Sequence, residues 1–134
     1  AIGGVTDTLE ILKSRVQMGI VTSCKRAHFD LIHSKTEVLK FFDFVLARED
    51  YFNSKPDPAP YLEAMRRNHL KPNECIVVED SPRGLQSANA AGLRCVVIPR
   101  GMTVGLNFDG AWMRLKQVAD LIPVVESLQN SEKG

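Results

Sequence analysis

Val77-Val78-Glu79-Asp80-Ser81-Pro82-Arg83-Gly84-Leu85-Gln86 decides the reading of this chain. An apolar, β-type run from Cys75 to Val78 ends in two adjacent carboxylates, and a turn leads into a small-residue helix closed by Ala90-Ala91-Gly92. Burying a carboxylate at a strand end is costly unless a cation or a hydrogen-bond donor compensates it. Two side by side repel each other, and a hard divalent cation such as Mg²⁺ resolves that repulsion. Asp80 or Ser81 equally suits the N-cap of the following helix, accepting from its first free amides. Taken alone, the stretch leaves both roles open.

Outward from this segment the pattern alternates strand and helix. Towards the N-terminus, Thr6 to Met18 carries Leu9, Ile11, Leu12 and Val16 at roughly helical spacing, with Asp7 and Glu10 as a capping-box-like pair and Gly19 as a stop. Gly19 to Thr22 reads as a short strand that breaks into Ser23-Cys24-Lys25-Arg26, and Ala27 to Leu39 as a helix. Phe44 to Ala47 is a second strand, followed by a loop from Arg48 to Pro58 and a helix from Ala59 to Asn68 with Tyr61, Leu62 and Met65 inward. Strands at Cys75–Val78 and Cys95–Ile98 flank a helix at Gly84–Ala91. Gly101 to Gly110 reads as a surface loop, Val118 to Ile122 as a last short strand, and Pro123 as the opening of a final helix through Leu128. Nearly continuous apolar strands separated by helices predict an α/β fold, a Rossmann-like parallel sheet covered on both faces.

Composition narrows the class. The 134 residues suit one domain, spanning 1–134. A net charge of +1 without basic or acidic blocks gives no argument for a nucleic-acid or membrane-surface partner. No apolar run approaches the ~18 residues that cross a bilayer. The cysteines Cys24, Cys75 and Cys95 lack CxxC spacing, and Cys75 and Cys95 sit in strand-like runs, so a reducing, cytoplasmic setting is expected. His28, His33 and His69 have no metal-type spacing, and Phe41, Phe42 and Phe44 read as packing residues.

In an open parallel sheet, ligands bind beyond the carboxyl ends of the strands. Thr22 and Ser23 follow the first strand, Lys55 lies in the loop after the second, and Glu79-Asp80 end the third. A hydroxyl and backbone amides at a strand-to-helix turn suit phosphate oxygens, and a lysine supplies a compact charge to the same oxygens. Each residue has a plainer reading as well: Thr22-Ser23 as a helix cap, Lys55 as a solvated loop lysine, Pro56, Pro58 and Pro60 as stiffeners of a helix entry. Their joint placement at successive strand ends favours a phosphoryl-transfer site, where positioning and charge neutralisation do most of the catalysis.

Ile20-Val21-Thr22-Ser23, Ser54-Lys55-Pro56-Asp57-Pro58 and Val78-Glu79-Asp80-Ser81-Pro82-Arg83-Gly84 resemble the second, third and fourth motifs of the haloacid dehalogenase superfamily. The Glu-Asp-Ser-Pro form with Ala90-Ala91-Gly92 is most similar to its β-phosphoglucomutase-like phosphatase branch, and the resemblance runs from Gly4 to about Leu128. It implies that Thr22 hydrogen-bonds the transferring phosphoryl group and that Lys55 neutralises phosphate and aspartate charge. It also implies that Asp80, with Glu79, holds Mg²⁺, and that Ser23 and Arg26 lie near the phosphate. The implied activity is that of a Mg²⁺-dependent phosphatase of a small phosphorylated metabolite, working through a phospho-aspartyl intermediate.

The resemblance also sets an expectation about what precedes this sequence. The family's first motif, Asp-x-Asp-Gly-Thr, supplies the nucleophile and the general acid–base; it has no counterpart here, since Asp7-Thr8-Leu9 lacks the preceding aspartate. The cap domain that selects substrate is inserted between the first and second motifs and is not found either. The chain is therefore expected to be a C-terminal portion of a longer enzyme, inactive alone. In the family the first strand is central, between those ending at Thr22 and Asp80. The expectation is then a fold that is rearranged, swapped between protomers, or completed by an N-terminal segment, because bare inner edges invite pairing. A phosphomutase shares the same residues, and a non-catalytic binding protein retaining the fold is the alternative from another class.

Overall fold

In the computed structural model, which describes residues 2–33 and 37–133, helices and strands alternate almost throughout. The elements are α1 (Ile2–Lys13), β1 (Gly19–Val21), α2 (Arg26–His33), β2 (Phe44–Leu46), α3 (Ala59–Asn68), β3 (Ile76–Glu79), α4 (Pro82–Ala90), β4 (Arg94–Val97), β5 (Met113–Arg114) and α5 (Leu121–Lys133). Every strand pairing is parallel. Among the described residues no helix is long and apolar enough to cross a membrane.

Strand β4 shows why the helices must cover two faces. Side chains alternate across a strand, and here Cys95 and Val97 join Val77, Tyr61, Met65, Leu85 and Ala88 in one buried cluster, under α3 and α4. Val96 and Ile98 join Leu12, Leu121 and Val125 in the other, under α1 and α5. Cys95, Val96 and Val97 are all fully buried. Removing a typical buried Val side chain from water is worth about 1.5–3 kcal/mol, so this one strand ties both layers together.

The helix ends follow local chemistry. Ser81 is extended and its hydroxyl accepts from the Gly84 amide at 3.1 Å, while Pro82 opens α4 with a preset φ. Asp57 accepts from the Ala59 amide at 2.8 Å to start α3. Gly92, at φ 81°, turns the chain out of α4 in a conformation that strains a side-chain-bearing residue.

Several expectations move. Helix α1 runs from Ile2 to Lys13, so Asp7 and Glu10 sit within it instead of capping it. The helix expected over Ala27–Leu39 is the shorter α2, followed by a 3-10 turn at Val38–Phe41; residues 34–36 of that span lie outside the described ones. Leu62 is exposed, because Tyr61, Ala64 and Met65 already fill the buried face of α3. Val118–Asp120 is a 3-10 turn leading into α5, and the last strand lies earlier, at Met113–Arg114, where it pairs with β4.

Among the described residues the strands form two sheets, β1–β2 and β3–β4–β5, with no strand pairing between them. Among the described residues β1 pairs only with β2 and β3 only with β4, so each keeps one edge without a neighbouring strand there. The layers are not rearranged to close the break: Val21 of β1 packs against the cluster of α3, α4 and β3. The break falls between the strand leading to Thr22 and the strand leading to Asp80.

Candidate active site

At the end of β3 the two carboxylates part company. Glu79 lies on the same face as Val77 and is 8% exposed, whereas Asp80 has left the strand and is exposed. Glu79 Oε2 accepts from Lys55 Nζ at 2.6 Å and from the Tyr61 hydroxyl. Room for this carboxylate comes from Gly84 on α4: a Cβ there would lie 1.9 Å from Glu79 Oε1. A glycine in the first turn of a helix is unfavourable by propensity, and close approach of the Glu79 side chain is its reason.

Lys55 joins the two halves of the molecule. Its Nζ also donates to the Val21 carbonyl at 3.2 Å, so one ammonium binds the ends of β1 and β3 across the break. It sits 5.2 Å from the centre of the Tyr61 ring. The loop carrying it is held from α4, where Arg83 donates to the Lys55 carbonyl at 2.8 Å and Ser87 to the Asp57 carbonyl at 2.7 Å. With side chains only 14% and 8% exposed, Lys55 and Glu79 form a largely desolvated pair, of the kind whose rupture by removal of one member costs about 3–5 kcal/mol.

Burial, and then the negative charge of Glu79, push the Tyr61 hydroxyl far above its ordinary range, so it remains a donor to that carboxylate. Burial first and Glu79 second push the Cys95 thiol up to about 12, which makes it an inert core group.

Ser23, Ser54, Lys55, Glu79, Asp80, Ser81 and Arg83 line one pocket of about 400 Å³ beyond the strand ends. Lys55, Ser23, Glu79 and Asp80 are thus brought together as the sequence predicts. Thr22 stands beside them but does not line the pocket: its Oγ1 accepts from the Cys24 amide at 3.1 Å and its carbonyl from the Tyr51 hydroxyl at 2.8 Å. Arg26 is not brought in. Its guanidinium is committed to Asp50 at 2.6 Å and to the Val45 carbonyl at 2.9 Å, which fix α2 to the end of β2. Asp50, held also by the Ala47 amide and Arg67, has its carboxyl lowered to about 2.

Tyr61, Gly84 and Arg83 were not singled out as site residues by the sequence. A signal existed for two of them: a buried tyrosine needs a partner for its hydroxyl, and a glycine inside a helix needs a packing reason.

The donor set suits Mg²⁺, which commonly takes one or two carboxylates and completes its shell with water and phosphate oxygens. The Asp80 carboxylate has no hydrogen bond or ion pair among the described residues and faces the pocket. Glu79 Oε2 accepts from both Lys55 and Tyr61, and Glu79 lines the same pocket. Among the described residues no three His, Cys, Asp or Glu groups converge as a ready-made metal cage.

Residues 1–98 match the model of the haloacid dehalogenase-like hydrolases. The chain belongs to that family. Among curated relatives of this family member, CbbY of Rhodobacter capsulatus is 33% identical over 120 residues, 87% of this chain and 53% of that protein. Validoxylamine A 7'-phosphate phosphatase of Streptomyces hygroscopicus subsp. limoneus is 32% identical, over 71% of this chain and 45% of its own length. Other relatives carry the name phosphoglycolate phosphatase. Among solved structures, CbbY from Rhodobacter sphaeroides in complex with phosphate superposes with a TM-score of 0.77 at 28% identity, over 88% of this chain and 54% of that one. This haloacid dehalogenase-like chain spans about half the length of these relatives.

Proposed function

We propose that the chain carries the phosphate- and metal-holding part of a phosphatase site acting on a small phosphorylated metabolite. The observation that supports it is the convergence on one pocket of Lys55, Ser23 and Asp80, the last without a hydrogen-bond or ion-pair partner among the described residues, with Lys55 reaching across the break between β1 and β3. Lys55 attracts the phosphoryl oxygens, and the Ser23 hydroxyl donates to them. The Thr22 hydroxyl already accepts from the Cys24 amide and retains its proton to donate to the same group. Asp80 holds Mg²⁺, which when bound neutralises charge on the phosphoryl oxygens.

In this reading the nucleophile is an aspartate on a strand seated between β1 and β3, from a preceding segment of the protein. The edges of β1 and β3 that have no strand partner among the described residues support that placement. Its carboxylate oxygen bonds to phosphorus as the ester oxygen departs with the substrate alcohol, and water then releases phosphate and restores the carboxylate. The relatives named as phosphatases favour water as the acceptor. Three free cysteines accord with a reducing, cytoplasmic setting.

The test is phosphate binding and turnover by the 134-residue chain. Ethyl phosphate with Mg²⁺, followed by NMR, is expected to perturb the loops at Ser23, Ser54 and Asp80, and Lys55→Met to abolish the effect. Hydrolysis of p-nitrophenyl phosphate is expected not to exceed that of a Lys55→Ala control. Binding that ignores Lys55 refutes the phosphate site, and turnover above the control refutes the external nucleophile.

A further inference from the structure

Arg83 carries a positive charge in the pocket that the phosphatase reading leaves without a task. It stands in the first turn of α4 and lines the pocket with Lys55. One terminal nitrogen donates to the Lys55 carbonyl, which fixes one corner of the guanidinium. The side chain is exposed and, among the described residues, has no carboxylate partner. Arg26, Arg66 and Arg67, by contrast, all pair with acids at 2.6–3.0 Å. In the reading above Lys55, paired with Glu79, serves the phosphoryl group, and Asp80 serves the cation. The positive charge left for a second anionic group of a ligand is therefore that of Arg83.

A guanidinium held at one corner presents its remaining N–H groups in a fixed fork, the geometry that carboxylates and phosphates match. The pocket, at about 400 Å³, is within the roughly 300–1,000 Å³ usual for small-molecule sites, and exceeds the need of a single phosphoryl group. We infer that Arg83 forms a second anionic subsite, which selects short phosphate esters bearing another anionic group, a carboxylate or a second phosphate, away from the reacting end. The inference rests on the phosphate-site reading and adds the substrate class to it.

The competing role is structural: through its bond to the Lys55 carbonyl, Arg83 could merely staple the loop. That role would affect every phosphate ester alike, because all of them need Lys55. The experiment compares three probes on the 134-residue chain with Mg²⁺ by NMR titration: ethyl phosphate, phosphoglycolate and ethane-1,2-diol bisphosphate. Wild type is expected to prefer one or both of the latter. Arg83→Gln is expected to weaken the preferred probe about tenfold, the worth of one charge-assisted hydrogen bond, and to leave ethyl phosphate within about twofold. Arg83→Lys restores part of the preference, since it keeps the charge and loses the fork. Loss confined to phosphoglycolate names the carboxylate, and loss confined to the bisphosphate names the second phosphate. Equal loss for all three probes, or no loss for any, overturns the inference while Lys55-dependent ethyl phosphate binding stands. Failure of wild type to bind ethyl phosphate overturns the phosphate-site reading, and this inference with it.

Discussion

Replacing Lys55 by methionine tests the link between the two sheets. The substitution keeps most of the stem and removes the ammonium that lies 2.6 Å from Glu79 and 3.2 Å from the Val21 carbonyl. Glu79, 8% exposed, is then left with Tyr61 as its hydrogen-bond partner. Breaking a buried pair from one side costs about 3–5 kcal/mol, a large share of the 5–15 kcal/mol typical of a folded domain. For a urea slope of about 2 kcal/mol/M, a loss of ~3 kcal/mol moves the midpoint down by about 1.5 M. Urea unfolding followed by circular dichroism measures that shift. Glu79→Gln in the Lys55→Met background removes the stranded charge and keeps an acceptor for Tyr61, so it is expected to recover part of the loss, with a coupling of about 1–3 kcal/mol. A midpoint that moves by less than about 0.3 M, or two losses that simply add, would refute the claim that this pair holds the break together.

Three further outcomes follow from the same geometry. Gly84→Ala places a methyl group on Glu79; the variant is expected to lose about 1–3 kcal/mol through overpacking and to bind phosphate more weakly as Lys55 shifts, whereas unchanged binding would detach Gly84 from the site. Asp80→Asn removes an exposed carboxylate without hydrogen-bond or ion-pair partners among the described residues; its unfolding curve is expected to match wild type while Mg²⁺-dependent perturbation of the pocket disappears, and retention of Mg²⁺ binding would count against it as the holder. Asp50, whose carboxyl is lowered to about 2 by the Ala47 amide first and Arg26 next, contributes stability that is present above its ordinary value of 3.8 and lost as pH falls towards about 2. Asp50→Asn is therefore expected to be less stable at neutral pH and to lose less between pH 4 and 2, and an acid-unfolding curve parallel to wild type would contradict this.

The sequence by itself determined the alternation of strand and helix, parallel strands with helices on both faces, and the candidate site's place at strand ends. It could do so because these rest on local patterns: apolar runs too short for a buried helix, glycine and proline punctuation, and polar groups just past each strand. Helix α3 appears over the residues its pattern predicts, and the motif residues Ser23, Lys55, Glu79 and Asp80 meet in one pocket. The weakly patterned C-terminal part is less legible, because β5 has two residues and is defined by its pairing with β4 alone. Only tertiary structure decided the different surroundings of the two acids. Glu79 and Asp80 are equivalent in sequence, but strand alternation sends one towards Tyr61, Gly84 and Lys55, and the turn leaves the other to the pocket. The same holds for the arginines. Arg26 is drawn away by Asp50 and Arg83 is left facing the site, because the partners of a long charged side chain come from elements distant in sequence.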